Sequence, residues 1–473
     1  MLPISRPTMS PRHLARRVWV GAQLRWLQQQ LHQHSEAILC RASGLGLMVS
    51  LALTPDRFPG PARAIGKAFT FRYWRPARGA ELLDIVLAVA IWPFGILICT
   101  FWFTWKNGAV IAKLFGRPRT RQFADQLRLA LTTGLPPPWY YIFELYKPGE
   151  MRRAPAYLTR AETKHGTNRL LAEARGSSTP LDDKEAFARF CSERQLATLP
   201  VLFTAHGGEL HRAGGPISLP EGDLFMKLVC GRGGRGAERW DYMGGGTYTI
   251  VEGRTLSASQ LVDRLCRISC FQPYMVQARA RNHHSMESLS NGALNTVRMI
   301  SCLNEREQPE LIGAVLRMAV RKNVTTDNVH AGGIAAAIDL EQGRLNQATH
   351  MGIDARRGWI DRHPDTGALI TGRLLPMWDE VRELAIRAHS AFNDWVVVGW
   401  DIAIKDDGPC LVEGNNGPDV DLIQRPLRTA FGSSRLGELV AFHLHRTEPA
   451  WRNQGVQSQV GLALRPPISP GSV

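Results

Sequence analysis

Between about Tyr157 and about Arg446, the spacing of hydrophobic residues alternates between two patterns. Short apolar runs of strand length, among them TVRMISCL, VVVGWDIAI and CLVEG, are separated by stretches with helical spacing, such as KEAFARFCSERQ and DEVRELAIRAHSAF. The turn sequences KDDG and DLEQGR join consecutive apolar runs at hairpin length. This pattern predicts an α+β fold in which neighbouring strands are antiparallel.

A different pattern lies upstream, where residues 85–103 read IVLAVAIWPFGILICTFWF. These nineteen residues carry no charge, and a helix of that length can span a bilayer. Lysines and arginines flank the run on both sides. The positive-inside rule would keep both flanks in the cytoplasm, which a single crossing cannot do. A re-entrant hairpin broken at Pro93 and Gly95 would satisfy the rule. A single pass and a buried core helix are the alternatives.

The first 80 residues are strongly basic. They hold 12 Lys and Arg against 2 Asp and Glu, in a chain whose formal net charge is +15. Within them, residues 11–33 place leucines and arginines at helical spacing, which predicts a basic amphipathic helix lying on an anionic leaflet. A basic arm can also bind nucleic acid. The sequence contains no zinc-finger spacing, RNA-binding aromatic motif or helix-turn-helix signal, so no nucleic acid is expected as a partner.

These patterns divide the 473 residues into five parts, as expected for a chain longer than one hydrophobic core usually serves. They are a basic amphipathic region (1–80), a hydrophobic membrane segment (81–106), a connecting helical region (107–156), the mixed region (157–446) and a loose tail (447–473). The eight cysteines form no C-x-x-C pair, which indicates reduced thiols in a cytosolic compartment. We therefore expect a membrane-associated protein whose mixed region lies on the cytoplasmic side and whose partners include anionic lipids.

The stretch GWDIAIKDDGPCLVEGNNGPDVD carries candidate metal ligands. If its apolar runs form a hairpin with a three-residue loop ending at Gly408, then Asp401 lies opposite Glu413, and Asn415 shares their face. Opposed carboxylates repel each other unless something positive lies between them. Carboxylate and amide oxygens suit Mg²⁺. The alternative is an exposed acidic hairpin face.

Two lysines are candidates for binding phosphate. Lys227 lies in an apolar strand followed at once by a Gly-rich loop, and glycines let backbone N–H groups approach phosphate oxygens closely. Lys184 lies at the start of a predicted helix, where a cation opposes the helix dipole and favours a bound anion. A surface hairpin and a solvated lysine are the alternatives. The glycines are Gly231, Gly233, Gly234 and Gly236.

Three further residues lie in or at the end of apolar strands. One predicted strand ends at Gln277, and two others contain Arg298 and Arg317. Arginine is seldom fully buried without a partner, so each of these two needs an anion, which a ligand or a structural salt bridge could supply.

Taken in order, these residues resemble the ATP-grasp superfamily. The details NTVR, DNVHAGGI, GWDIAI and EGN-x-x-PD are most similar to its sugar-transfer-associated subgroup, which is related to α-L-glutamate ligases. The resemblance covers about residues 157–445. It implies an ATP-grasp fold, in which two α+β subdomains clasp ATP, preceded here by a basic, partly membrane-embedded helical N-terminal region.

The resemblance also implies how ATP would be held. Lys184 and Lys227 would contact its α- and β-phosphates, and the loop from Gly231 to Gly236 would close over them. The main chain near Gln277 would contact the adenine, although many ATP-grasp ligases have glutamate at that position.

The metal and the transferred phosphate would lie at the other end of the nucleotide. Asp401, Glu413 and Asn415 would hold Mg²⁺, with Mn²⁺ as an alternative ion. Arg298 and Arg317 would contact the γ-phosphate or an acyl-phosphate.

The activity that follows from the resemblance is ligation of a carboxylate to an amine or a thiol. ATP would phosphorylate a small carboxylate, and the acceptor would then displace phosphate. The subgroup name places the acceptor near surface-polysaccharide assembly, on a polysaccharide or a lipid-linked sugar precursor. The alternatives are a kinase that phosphorylates a sugar or glycan hydroxyl, and a membrane-bound nucleotide-binding module without turnover.

Overall fold

The computed structural model describes residues 40–457 except for short gaps at 43, 75–79, 212–218, 232–233, 235, 251–252 and 321–324. The amphipathic helix predicted at residues 11–33 lies outside the described residues, as does most of the predicted tail. Helical residues at 40–42 and 44–53 come first, and a π-helical segment, Ala161–Thr167, precedes α5. The α-helices are α1 (Gly60–Trp74), α2 (Ala80–Phe115), α3 (Arg119–Thr132), α4 (Pro137–Ile142), α5 (Asn168–Arg175), α6 (Lys184–Glu193), α7 (Ala258–Ser269), α8 (Trp378–Ala391), α9 (Val420–Leu427) and α10 (Arg435–Gln457).

The strands form two antiparallel sheets, which confirms the predicted α+β fold. The first has the order β2-β1-β7-β3-β4-β5-β6, and the second has the order β11-β10-β9-β8-β12-β13. The strands are β1 (Val201–His206), β2 (Glu209–His211), β3 (Leu224–Leu228), β4 (Glu238–Gly244), β5 (Thr247–Ile250), β6 (Thr255–Ser257), β7 (Tyr274–Ala278), β8 (Thr296–Leu303), β9 (Pro309–Met318), β10 (Ile334–Ile338), β11 (Leu345–Thr349), β12 (Val397–Lys405) and β13 (Gly408–Asn415).

The second sheet is covered on both faces. Trp400 and Ile402 of β12 share one hydrophobic core with Val381 and Leu384 of α8, on one face. Helices α1, α9 and α10 pack on the other face, where Val397 contributes to a second core. A sheet buried on both faces has no polar side, so its strands are continuously hydrophobic. This burial on both faces explains why the run VVVGWDIAI is almost entirely apolar.

The first sheet is covered by a helix on one face. Leu261 and Leu265 of α7 pack with Trp240 of β4 and Tyr248 of β5. A capping box begins α7: the Ser257 side chain accepts a hydrogen bond from the Gln260 backbone, and the Gln260 side chain accepts one from Ser257 N–H. The other face of this sheet remains for a ligand or for the second sheet.

Helix α2 contains the apolar run and is the one described helix that is long and apolar enough to cross a membrane. It spans 36 residues and continues through Pro93. Helix α2 is therefore unbroken at Pro93, where the re-entrant hairpin, one of the topologies that the sequence left open, would need a break. Proline removes a single backbone hydrogen bond, and the intact turns on both sides of Pro93 maintain the helix.

Helix α10 continues to Gln457 with Pro449 inside it. The predicted boundary between the mixed region and the tail, at residue 446, thus falls within a helix. Helix α1 packs against α10, with Ile65 and Leu439 in one shared core. Residues upstream of 157 therefore contact the same body as the mixed region.

Candidate functional site

The β12–β13 hairpin places Asp401 directly opposite Glu413. Lys405 pairs with Gly408, so the turn has two residues rather than the predicted three. Gly408 has a positive φ of 122°, as the tight turn requires. One extra residue on β13 forms a bulge that shifts the register, and Asp401 then pairs with Glu413 as predicted.

Asp401 is 2 % exposed and is held by two arginines. Arg298 donates to it from Nε and from Nη2, the latter at 2.9 Å, and Arg317 Nη2 donates to Oδ2 at 2.9 Å. Burial by itself would raise the pKa of Asp401, but the charges of Arg298 and then Arg317 outweigh it and hold that pKa at about 2. The anion that both strand arginines need is therefore Asp401.

A further layer of contacts orients Arg317. Thr296 Oγ1 accepts hydrogen bonds from Arg317 Nε at 3.0 Å and Nη2 at 2.6 Å. Asp327 lies 3.4 Å from Arg317 Nη2 and accepts from the backbone N–H of Thr296 at 2.9 Å. Since Thr296 and Arg317 are direct neighbours on β8 and β9, the sheet register brings these groups together.

Glu413 lies between the buried ion pair and the lysines. Its carboxyl group is within hydrogen-bonding reach of the Asp401 carboxyl group, and Asn415 Nδ2 lies 3.4 Å from its Oε1. Lys184 Nζ lies 3.8 Å from Glu413 Oε2. Two carboxylates this close repel each other, and nearby positive charge offsets that repulsion. The three oxygen-bearing side chains therefore fit a hard divalent cation.

Lys184 is the first residue of α6 and connects that helix to the Gly-rich loop. The helix is capped by Asp183, whose side chain accepts from the backbone N–H groups of Glu185 and Ala186. Lys184 N–H donates to the Val229 carbonyl at 3.2 Å, and its Nζ donates to the Gly231 carbonyl at 2.5 Å. The two lysines predicted to bind phosphate thus lie on the same side of the hairpin as Glu413.

Lys227 is the second of these lysines. Its Nζ donates to the Val412 carbonyl of β13 at 3.5 Å. Burial lowers the pKa of Lys227 to about 8, and the neighbouring Glu413 charge offsets part of that effect. The ammonium group is therefore charged near neutral pH but titrates close to the physiological range.

The Gly-rich loop joins β3 to β4. Gly234 and Gly236 have positive φ of 75° and 68°. A Cβ at Gly234 would lie 2.9 Å from Thr326 Cγ2, so the loop approaches the β9–β10 connection closely. Of the four predicted glycines, Gly231, Gly234 and Gly236 are described, whereas Gly233 lies outside the described residues.

Gln277 lies inside β7 with strands on both sides. It pairs with Val201 of β1 and with Phe225 of β3. Its side chain is buried, and Nε2 donates to the Leu199 carbonyl at 2.8 Å. Within the part of the chain that the structure describes, its Oε1 has no hydrogen-bond partner. The side chain is therefore oriented by the segment that leads into β1, and beyond the end of β7 the Arg279 N–H donates to the Asp223 carbonyl at 2.9 Å.

Asp419, which follows the hairpin, belongs to a charged cluster that the local sequence pattern did not predict. It lies 3.3 Å from Arg160 Nε, 3.2 Å from Lys164 Nζ and 3.5 Å from His330 Nε2. Burial would raise its pKa, but the contact with His330 and the charges of Lys164 and Arg160 hold it well below the usual range. The motif EGN-x-x-PD contains Asp419. Its partners come from distant segments, and nothing in the local pattern indicates them.

The chain was compared with known proteins. The family model described as sugar-transfer associated ATP-grasp matches residues 170–431, more than half of the 473 residues. None of the curated proteins compared with the chain matches it.

Solved structures with some likeness to this chain include three proteins with ligase, synthetase or carboxylase names. D-alanine–D-alanine ligase from Bacillus anthracis shares 11% identity, covering 58% of this chain and 70% of that one, with a TM-score of 0.32. D-alanyl-alanine synthetase A from Vibrio cholerae shares 10%, covering 58% and 66%, with a TM-score of 0.34. The biotin carboxylase domain of Hydrogenobacter thermophilus 2-oxoglutarate carboxylase, solved with MgADP, shares 11%, covering 57% and 45%, with a TM-score of 0.31.

The family model carries the assignment, because its match includes every residue in which the sequence analysis placed candidate chemistry, from Lys184 to Asn415. The antiparallel sheets and the cluster of lysines, carboxylates and arginines between them agree with it. The chain belongs to the sugar-transfer-associated ATP-grasp family.

Proposed function

We propose that the protein is an ATP- and Mg²⁺-dependent ligase that activates a small carboxylate as an acyl-phosphate and joins it to an amine or a thiol. The observation that carries this proposal is the convergence of two lysines, two carboxylates and two arginines on one face of the β12–β13 hairpin. Positive groups for phosphate, oxygen ligands for a metal and paired arginines for a phosphoryl group are what such a reaction requires.

In this proposal the nucleotide lies between the two sheets. Lys184 and Lys227 contact its α- and β-phosphates, and the loop from Gly231 to Gly236 covers them. The main chain at the end of β7, just beyond Gln277, contacts the adenine. The 2.5 Å contact of Lys184 Nζ with the Gly231 carbonyl supports this arrangement, because it already brings the loop against the lysine.

The metal ligands in the proposal are Asp401, Glu413 and Asn415. A divalent cation held there neutralises charge on the β- and γ-phosphates. The close approach of the Asp401 and Glu413 carboxyl groups supports this placement. Mg²⁺ suits the oxygen ligands best, and Mn²⁺ is the alternative ion.

The arginines contact the phosphoryl group as it moves. Within the described residues, both use Nε and Nη2 for the hydrogen bonds made by their side chains, which leaves Nη1 for a phosphoryl oxygen. An oxygen of the substrate carboxylate attacks the γ-phosphorus, and the bond from that phosphorus to the leaving ADP oxygen breaks. The acceptor lone pair then attacks the acyl carbon, and orthophosphate leaves with the bonding electrons.

The acceptor in the proposal is a cell-surface polysaccharide or a lipid-linked sugar precursor. The family description supports a connection to sugar transfer, and the apolar helix α2 supports a membrane-borne acceptor. The protein would then be membrane-associated, with its ATP-grasp domain on the cytoplasmic side, where ATP is found. All eight cysteines are free thiols, in keeping with a reducing compartment.

The test incubates the full-length protein with Mg·ATP, a panel of small carboxylates and a panel of amine, thiol and sugar-linked acceptors. We expect ADP and free orthophosphate to appear in equal amounts only when a carboxylate is present. ADP without free orthophosphate, together with a phosphorylated sugar, would overturn the proposal in favour of a kinase. Nucleotide binding without turnover on any substrate would instead favour a non-catalytic module.

The affinity for Mg·ATP should depend on pH through Lys227. Its ammonium form attracts phosphate, and its pKa of about 8 means that this form is lost as the pH rises above that value. We expect the affinity to fall by up to about 10-fold per pH unit above about pH 8. Isothermal titration at several pH values would measure this. The Lys227→Arg protein should show a flat profile, because guanidinium stays charged. A wild-type affinity that does not change with pH would contradict this role.

Adding a methyl group at Gly234 should weaken ATP binding. The new Cβ would meet Thr326 at 2.9 Å, so the loop would have to move away from the β9–β10 connection. We expect the Kd of Gly234→Ala for Mg·ATP to rise about 10-fold, the equivalent of about 1.4 kcal/mol.

Gly246→Ala is the matched control for this loop variant. Its φ of 71° is close to the 75° of Gly234, but nothing lies within 4 Å of a Cβ there. It should lose about 1 kcal/mol of stability from backbone strain and keep its ATP affinity. Equal effects of the two variants on binding would show that only backbone strain matters.

A further inference from the structure

One face of α2 is apolar and exposed along almost the whole helix. Large hydrophobic side chains cover it from the first turn to beyond the middle, and Trp102 and Trp105 lie together with ring centroids 5.3 Å apart. Val49, Leu53 and Leu131 on the adjacent helices add further exposed apolar area. The exposed residues of α2 itself are Leu82, Leu83, Val86, Leu87, Val89, Ile91, Phe94, Leu97, Ile98, Phe101, Trp102, Trp105, Leu114 and Phe115.

The other side of α2 faces the protein; its buried residues lie near the two ends of the helix, and they include most of the polar side chains of α2. Gln126 of α3 donates to Thr104 Oγ1 at 2.7 Å, and Gln122 donates to the Gly108 carbonyl at 3.0 Å. A helix with its polar face inward and its apolar face outward is the reverse of an ordinary surface helix. The buried residues on this face include Asp84, Ala88, Thr100, Thr104, Asn107 and Ile111.

Polar contacts join both ends of this buried face to the body of the protein. Near the start of α2, Asp84 pairs with Arg41 at 3.1 Å, and Arg41 Nε donates to the Tyr73 carbonyl of α1 at 2.9 Å. Farther along, Asn107 Nδ2 donates to the Ile353 carbonyl at 3.2 Å, and its Oδ1 accepts from Ala355 N–H at 2.8 Å. The helix therefore lies lengthwise on the body.

This attachment is incompatible with a membrane crossing. Asp84 and Asn107 are about 34 Å apart along the helix axis, close to the hydrocarbon thickness of about 30 Å. A bilayer perpendicular to α2 would have to include the body that packs between these points. Helix α3, which packs on α2, carries the exposed charged side chain of Arg128, which hydrocarbon would not accept.

We propose that α2 lies in the plane of one membrane leaflet, with its apolar face in the acyl region and the ATP-grasp body in the cytoplasm against the same leaflet. This inference rests on the membrane association proposed above and specifies its geometry. It places both basic flanks of the apolar run on one side of the membrane, as the positive-inside rule asks. Exposed Lys113, Arg119 and Arg121 beside the C-terminal end of α2 fit anionic headgroups.

A single leaflet is the occupant that this face fits best. The two tryptophans suit the shallow boundary between the acyl chains and the headgroups, and the neighbouring lysine and arginines complement an anionic lipid surface. The arrangement would keep the nucleotide site at the membrane surface, within reach of a lipid-linked acceptor and without a crossing segment.

The test measures how deeply nitroxide labels at Leu83, Phe94 and Trp105 enter a bilayer. These three exposed residues are eleven positions apart, about three helical turns, so they mark one line along the apolar face. Each label is attached through a ketone-bearing amino acid in the full-length protein, so that the native cysteines remain. The protein is bound to vesicles of phosphatidylcholine mixed with phosphatidylglycerol, and relaxation by oxygen and by a water-soluble nickel chelate gives the depth.

The expected result is an equal, shallow depth for all three labels, while a label at the exposed Leu369 stays accessible to the chelate. A Phe94 label much deeper than the other two would show a crossing helix and overturn the proposal. Three labels accessible to the chelate would exclude membrane contact. Three labels shielded from both relaxants would assign the face to a second copy of the chain. Phosphate release measured in detergent is independent of these outcomes, so the ligase proposal can fail or succeed separately.

Discussion

Replacing Glu413 by glutamine is expected to lower the affinity for Mg·ATP by about 100-fold or more, and turnover with it, while leaving the fold intact. Changes outside the direct ligands of a metal already cost about 10- to 100-fold in affinity, and Glu413 is proposed as a direct ligand. The substitution keeps the size of the side chain but removes the charge that faces Lys184 at 3.8 Å. Isothermal titration of Mg·ATP into the full-length proteins measures the effect.

Asp407→Asn is the control for this substitution. Asp407 lies at the turn of the same hairpin, where its exposed carboxylate pairs with Lys405 at 2.7 Å. Its replacement should change neither binding nor turnover. If the Glu413→Gln protein bound Mg·ATP as tightly as this control, the proposed metal site would be wrong, and Glu413 would be part of an acidic hairpin face.

Asp401→Asn is expected to destabilise the whole ATP-grasp region by about 3–5 kcal/mol. The substitution leaves Arg298 and Arg317 without their shared anion, and an uncompensated buried charge is among the most costly changes in a protein. Urea unfolding followed by circular dichroism would show a lower midpoint. The exposed Asp407→Asn protein should unfold close to wild type.

The same ion pairs give stability a definite pH dependence. The pKa of Asp401 is held at about 2, below the value of about 3.9 expected in the unfolded chain, so the folded state favours the charged carboxylate. This contribution is fully present above about pH 4 and is lost as the pH falls towards about 2.

A second variant separates the electrostatic cause from a loss of packing. Arg317→Gln removes one of the two positive charges. The double variant with Asp401→Asn should therefore be less destabilised than the sum of the two single variants, because fewer buried charges are left unpaired. If the double variant were as unstable as the sum of the two single variants, the ion pair would not be the cause.

These expectations connect stability and activity at one residue. Asp401 orients the two arginines and is also proposed to hold the metal, so its loss should affect both properties. Glu413 is 29% exposed at its side chain and has no such structural role, so its loss should affect activity alone. Comparing the two variants tests that division of roles directly.

Local patterns in the sequence determined a large part of the fold. The alternation of short apolar runs and helical stretches predicted an α+β fold with antiparallel strands. Hydrophobic residues repeat about every two positions in a strand and every three to four in a helix, so local spacing distinguishes the two. The same patterns placed Asp401 opposite Glu413, since the two strands adjoin in the chain and a short turn restricts their register. The loop length was wrong by one residue, and a bulge in β13 corrected the offset.

Contacts between distant segments were decided only by the tertiary structure. Arg298 and Asp401 are 103 residues apart in the chain and meet because β8 lies beside β12. Asp419 meets Arg160 and Lys164 for the same kind of reason, and no local spacing signals such a partner.

The orientation of α2 shows most clearly what the sequence by itself could not predict. Its sequence shows a run of apolar residues long enough to span a bilayer, and composition alone favours a helix that crosses or re-enters it. Which face of that helix is covered depends on α1, α3 and the loop at Ile353, which hold Asp84 and Asn107 against the body. Hydropathy measures how apolar a segment is, whereas only packing determines which of its faces remains exposed.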